Sequence, residues 1–435
     1  MTVQVFREAL GRILPKSNLA RGIVTLMTGT SMAQVMLIAL SPILTRLYSP
    51  EDFGVFALYT SICTILMVFV TGKYELTIII PKRSSEAINL VAVTAGLSLL
   101  SSLLLLGVVL IWGAQIAVLL NHSEVGLWLY LIPLTTLILG CYHALNFWTN
   151  RRARYKSMAA SRVVQSGASG AIQLAAGAFK LGQAGLILGQ MLGQMLAVLF
   201  LLKSLPIKER KMFRCVDFKR MCHAVHKHIG YPKYIMPAQV MSVGATELPL
   251  LLLTMFFGAD VVGFYFLALR VMAAPISLVA SAVGDVYRQK AAEQYARQGE
   301  CFGIFWAFFK RLLLFAFLPM LPILLFGPSL FAFVFGENWR NAGEIAALLS
   351  VLTFFQTVSS PLSWTILLPG WLRIEFLWQF SRLCLAGFVL FICYSVGAGY
   401  KIAIIAYVCV FSCLYMLHSY LQYQAARGSF VMSHK

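Results

Sequence analysis

The feature that most constrains this chain is a train of apolar runs, each close to the roughly 20 residues a helix needs to cross a bilayer. They lie at about 22–44, 53–72, 87–112, 126–148, 161–180, 184–203, 234–257, 262–284, 302–326, 342–366, 375–397 and 401–423. Twelve such runs in 435 residues leave no room for a sizeable soluble domain. Only 12% of the residues are charged, against about 25% in ordinary soluble domains. A soluble surface cannot be built from so few charges, which excludes a soluble enzyme and a disordered chain. The expectation is an all-α polytopic membrane protein with about 12 transmembrane helices.

Charge then orients it. Lys and Arg number 35 against 16 Asp and Glu, a net charge of +19. Basic residues collect in cytoplasmic loops, so this excess calls for no nucleic acid partner. One set of loops holds 29 of the basic residues and the opposite set holds 4, namely Arg46, Lys180, Arg340 and Lys401. The reading places the N- and C-termini in the cytoplasm. Phe6, Ala9, Leu10, Ile13 and Leu14 share one face of a helix, which predicts an interfacial helix over 3–16. The nine cysteines show no disulfide spacing.

The longest basic stretch divides the runs six and six. This predicts an N-terminal bundle over 1–203, a basic cytoplasmic linker over 204–233 and a C-terminal bundle over 234–435. Each half opens on the same tetrapeptide, Ala33-Gln-Val-Met36 and Ala238-Gln-Val-Met241. A proline, an acidic residue and a Gly-x-aromatic step follow in each: Pro42, Asp52 and Gly54 in one, Pro249, Asp260 and Gly263 in the other. The halves therefore read as parallel repeats, an arrangement that sets a substrate site between two bundles.

An ionisable group within a span is costly and marks function by default. Glu247, Arg270 and Arg382 are of this kind. Arg270 reads as facing a wet cavity or as the partner of Glu247. Arg382 reads as cavity-lining or as snorkelling to the headgroups. Gly72-Lys73-Tyr74-Glu75 interrupts an apolar stretch and reads as a loop or as a cavity mouth presenting Lys73 and Tyr74. Gln34 and Gln239 join the polar inventory that can receive sugar hydroxyls. Cys215, Cys222, His223, His226 and His228 cluster in the linker without zinc spacing, so no metal site is read there. No nucleotide-binding or other cofactor motif is present in the sequence.

Five segments in order resemble the Wzx-type polysaccharide flippases: LTRLYSPEDFGVFALY (44–59), GKYELTIIIPKRSSEA (72–87), FWTNRRARYKSMAASRVVQS (147–166), GFYFLALRVMAAPISLVASAVGDVY (263–287) and FGENWRNAGEIAALL (335–349). The resemblance implies the MOP superfamily, which also holds the MATE drug exporters, and a V-shaped cavity between two six-helix bundles. It implies a transporter rather than an enzyme, in the multi-pass inner membrane of a bacterium. The implied task is flipping undecaprenyl-pyrophosphate-linked oligosaccharide to the outer leaflet, for O-antigen, capsule or exopolysaccharide. A polymerase and a chain-length regulator are the implied protein partners. Arg270, Arg382, Lys73, Tyr74, Gln34 and Gln239 are then the candidate substrate contacts. Glu247 and Glu75 are the candidates for coupling to H+ or Na+. The alternatives are a cation-coupled drug exporter and a membrane glycan polymerase or ligase.

Overall fold

The computed structural model describes residues 18–119, 125–213, 216–368 and 371–428. Among them the chain is helical, with twelve long helices. In chain order these are α1 (Asn18–Leu47), α2 (Pro50–Val70), α3 (Ser84–Leu119), α4 (Ile132–Arg151), α5 (Tyr155–Ala178) and α6 (Gln183–Ser204). There follow α7 (Met236–Phe257), α8 (Ala259–Gln298), α9 (Phe302–Phe335), α10 (Arg340–Ser359), α11 (Leu372–Ser395) and α12 (Tyr400–Ala426). Ten helices among the described residues are long and apolar enough to cross a membrane. The chain is an all-α, multi-pass membrane protein, as the apolar runs predict. The interfacial helix expected over 3–16 lies outside the described residues.

The α5 helix is less apolar than a typical span because its polar side chains serve its neighbours. Ser169 donates to Gln190 at 3.2 Å, and Gln173 donates to the Leu186 carbonyl at 3.0 Å. Arg162 donates to Thr30 of α1. On α6, Gly193 lies so close to α5 that an added Cβ would stand 2.8 Å from the Gln165 carbonyl. Small residues that admit a neighbouring backbone, with polar side chains bonding across, are how helices associate in lipid.

The chain divides into two compact units. The first takes the residues up to Leu40, then Leu66–Ile116 and Gly126–Pro237, and the second takes chiefly Ser41–Ile65 and the chain from Ala238. In the first, the 204–233 stretch folds onto its own helices. Short helices form at Ile207–Met212 and Phe218–Lys227. Glu209 accepts from the Trp148 indole at 3.0 Å and pairs with Arg152 at 3.2 Å and with Arg154. Lys227 pairs with Glu86 at 2.5 Å. Burial, followed by the neighbouring Lys227, pushes the His228 imidazole below its usual value.

In the second unit, α2 begins at a capping box. Ser49 donates through its backbone N–H and its hydroxyl to Asp52, each at 2.9 Å, and the Asp52 N–H donates back to Ser49 at 3.1 Å. Burial, then the Asp52 charge, pushes the neighbouring Tyr48 hydroxyl up to about 12. The helix then crosses α8 at two glycines. A Cβ on Gly54 would strike the Ala259 carbonyl, and one on Gly263 would strike the Pro50 carbonyl. Phe56 and Phe266 meet edge to face just beyond, at 5.9 Å. These are the glycines of the repeated Gly-x-aromatic step, each receiving the start of the other's helix. Trp339 locks the same corner. It is 1% exposed, donates to the Thr45 carbonyl at 2.9 Å and packs against Phe53 and Phe264.

Candidate functional site

Two polar clusters sit among the helices, one in each unit. In the first unit the chain leaves α2 through Gly72 and Lys73, both in the left-handed region with φ of 54° and 62°. A short 3-10 helix, Tyr74–Ile79, follows before α3. Glycine adopts this backbone freely, whereas lysine does so at a cost. The excursion turns Glu75 inward, where it is 3% exposed. One carboxylate oxygen lies 3.7 Å from Lys73 Nζ, and the other is buried with no hydrogen-bond partner. His143 of α4 stands within electrostatic reach of both Glu75 and Lys73. Tyr74 is also buried; its hydroxyl donates to the Val225 carbonyl at 3.1 Å, and burial raises its pKa above the usual phenol value. The structure therefore pairs Lys73 with Glu75 and sets His143 within reach of both, while the Tyr74 hydroxyl goes to Val225. Gln34 lies partly buried on α1, in the same unit.

In the second unit Glu247, partly buried on α7, accepts a 2.6 Å hydrogen bond from Ser61 of α2. Tyr265 of α8 lies within electrostatic reach of Glu247 and interacts through its hydroxyl with Tyr407 of α12. Tyr407 in turn senses Arg382 of α11. The two buried tyrosines thus bond to each other, one within reach of the Glu247 charge and the other within reach of Arg382.

Arg382 belongs to a polar ladder on one face of α11. Gln379 donates to Glu375 at 2.8 Å, and Arg382 donates to Gln379 at 3.1 Å. The guanidinium sits 5.9 Å from the Trp378 ring and 6.0 Å from the Tyr415 ring. Its Nε is buried without a hydrogen-bond partner. The α11 side chain therefore turns onto aromatic rings within the unit. Trp378 also stacks on His418 at 3.9 Å. His418 Nδ1 is held by Ser359 at 2.8 Å and by the Gln422 amide at 3.1 Å. Arg270 lies part-way along α8 and is partly buried, and Gln239 is partly buried at the start of α7.

The residues that sequence reasoning passed over are Ser61, Tyr407, Trp378, His418 and His143; Tyr265 was read only as the aromatic of the second Gly-x-aromatic step. The one available signal was periodic: Tyr407, Tyr415, His418 and Gln422 fall on one face of α12. Among the described residues no group of three or more His, Cys, Asp or Glu side chains is placed to hold a metal ion. Cys215 of the linker cluster lies outside those residues.

Comparison with known proteins bears on this geometry at two levels. The family described as Polysaccharide biosynthesis protein matches residues 43–344. Among proteins of curated function none matches the chain. The fold is similar to that of a multidrug resistance MATE family transporter of the MOP superfamily in an inward-facing conformation. That likeness has a TM-score of 0.56 at 12% identity and covers 94% of this chain and 96% of the other. An outward-facing MATE family structure gives 0.56 at 12% identity, covering 96% and 97%. A MOP superfamily transporter from Pyrococcus furiosus, described as having a binding pocket of reverse polarity, gives 0.58 at 14% identity, covering 97% and 98%. The fold is similar to that of these MATE and MOP superfamily transporters, the likeness that the five segments imply.

Proposed function

From the premise that this chain belongs to the polysaccharide biosynthesis protein family, we propose that it flips undecaprenyl-pyrophosphate-linked oligosaccharide units across a bacterial inner membrane by alternating access. The observation that carries this reading is Arg382, an arginine inside a span whose guanidinium is presented beside Trp378 and Tyr415. A pyrophosphate is an anion, and a fixed guanidinium binds phosphate oxygens through directed hydrogen bonds. Aromatic faces and amide side chains suit the apolar and hydroxyl faces of sugars. Arg270, Lys73, Tyr74, Gln34 and Gln239 are the further contacts of this proposal. The lipid tail remains in the bilayer while the headgroup crosses.

The energy source in this reading is an ion gradient or the membrane potential, where one charge moved across 100 mV is worth about 2.3 kcal/mol. Glu247 and Glu75 are the proposed carriers of the coupling H+ or Na+. The product suits a polymerase and a chain-length regulator acting at the outer leaflet, in O-antigen, capsule or exopolysaccharide assembly.

The test is a lipid-linked glycan assay in cells lacking the protein. Undecaprenyl-linked units are expected to accumulate on the inner leaflet, and wild type is expected to clear them. Arg382→Gln and Arg270→Ala are each expected to slow clearance at least tenfold, the cost of losing about 1.4 kcal/mol of binding. If no lipid-linked glycan accumulates in the deletion, flipping is the wrong activity. A cation-coupled drug exporter is then the reading to test, the structures of similar fold being described as multidrug resistance MATE family transporters.

A further inference from the structure

The second unit carries a groove that the transport site does not use. It lies between α9 and α12, has a volume of about 440 Å³ and is lined almost wholly by apolar atoms. Phe305, Trp306 and Phe309 of α9 face Met416, Tyr420 and Tyr423 of α12 across it. Its rim is open rather than cored: Trp306 is 39% exposed and Tyr420 is 56% exposed. On a membrane-spanning unit, such a surface meets hydrocarbon.

One end of the groove is basic. The Cys301 N–H donates to the Ala426 carbonyl at 2.9 Å, so the start of α9 and the end of α12 lie together. Arg427 is held there with its guanidinium 4.5 Å from the Tyr423 ring and 5.0 Å from the Phe302 ring. Lys310 reaches back along α9, with Nζ 5.1 Å from the Trp306 ring. Side chains lean toward the N-terminus of their helix, so Lys310 directs its charge to the same end. Among the described residues neither Lys310 nor Arg427 enters an ion pair. Two cations fixed on aromatic rings, at the mouth of an apolar groove, present positive charge beside hydrocarbon. The complementary molecule has an anionic headgroup and a hydrocarbon chain.

We propose that this groove binds an anionic phospholipid of the bilayer, with one acyl chain along the α9–α12 aromatics and the phosphate between Lys310 and Arg427. Glu300 precedes Cys301 at this end, its Cβ 4.0 Å from where a Cβ on Gly428 would stand, and its negative charge opposes an anion there. This proposal is independent of the transported substrate, because none of its residues belongs to the transport site.

The test is native mass spectrometry of the detergent-purified chain with phosphatidylglycerol, phosphatidylcholine or undecaprenyl phosphate added, together with a thermal melt in each lipid. A juxtamembrane Lys or Arg contributes about 1 kcal/mol toward anionic lipid. Two therefore give a preference of roughly thirtyfold for phosphatidylglycerol. Lys310→Gln with Arg427→Gln is expected to bring that preference below about threefold. Glu300→Gln is expected to raise it. Ser419→Phe, which fills the groove, is expected to abolish retention of either lipid while the melt without lipid stays in place. Equal retention of the two lipids by wild type would overturn the proposal without any variant being needed. So would tight retention of undecaprenyl phosphate with none of phosphatidylglycerol, since the groove would then serve the transported class.

Discussion

Glu75 and Glu247 are both carboxylates enclosed by helices, and their partners give them different tasks. Glu75 faces the Lys73 ammonium and leaves one oxygen buried and unpartnered, whereas Glu247 holds a single hydroxyl, that of Ser61. Replacing a carboxylate by an amide keeps an acceptor oxygen but removes the charge. Glu247→Gln can still accept from Ser61, so its melting temperature in detergent should stay within a degree or two of wild type. Glu75→Gln strips Lys73 of its counter-charge. Lys73 keeps some contact with solvent, its side chain being 16% exposed, so the loss is expected at about 1–3 kcal/mol. This difference separates stability from coupling. If Glu247 carries the coupling ion, Glu247→Gln abolishes the dependence of glycan clearance on an imposed ion gradient while the protein remains folded. Clearance that keeps its full gradient dependence in Glu247→Gln would remove Glu247 from that role. Residues of this kind were legible in the sequence because an ionisable side chain in an apolar run stands out. The polar roles of Tyr265, Tyr407 and His418 were not, because each is an ordinary constituent of an apolar helix. Only the packing of α8, α10, α11 and α12 gives them partners.

At the scale of elements, the repeated Gly-x-aromatic step has a physical explanation. Gly54 and Gly263 let α2 and α8 approach until each backbone lies on the other helix's first turn. Gly54→Val drives a branched side chain into the Ala259 carbonyl, and backbone cannot rotate away as a side chain can. The expected cost is about 1–3 kcal/mol, typical of overpacking. Gly107 of α3 is the control, for a Cβ there meets nothing within 4 Å. Gly107→Ala should leave the protein unchanged or stabilise it by about 0.5–1 kcal/mol through helix propensity. Thermal melts of the two variants read both effects, and equal melting temperatures would show that the crossing tolerates a side chain. The sequence located this motif without disclosing its purpose, since a glycine is silent about what approaches it. It also located the twelve helices but missed their ends in both directions: α5 and α11 stop at Ala178 and Ser395, inside the expected ends at 180 and 397. The α8 and α9 helices run on to Gln298 and Phe335, past the expected ends at 284 and 326, because a helix need not stop where its apolar run stops. Likewise the break at 72–75 was visible as polar residues in an apolar stretch. The left-handed backbone at Lys73, a conformation lysine seldom adopts, was not.

At the scale of the whole molecule, the basic residues assign every loop a side, and that assignment can be tested through one native thiol. Cys222 lies exposed on the short helix Phe218–Lys227, in the stretch carrying the largest share of loop arginines and lysines. Val396 is 78% exposed in the turn after α11, on the side expected to face outward. A charged maleimide that cannot cross a bilayer is expected to label Cys222 in inside-out vesicles and to spare it in intact spheroplasts. In a Cys215→Ser, Cys222→Ser background, Val396→Cys is expected to show the reverse pattern. Cys384, Cys409 and Cys413 are surface positions within α11 and α12. They should react slowly in either preparation, because the reagent attacks thiolate and hydrocarbon disfavours that charge. Labelling of Cys222 from outside would invert the molecule. It would then place Lys310 and Arg427 against the outer leaflet, where the basic mouth of the α9–α12 groove would meet a different lipid population. Labelling from inside sets both the linker and that mouth at the cytoplasmic surface, where anionic lipid is at hand.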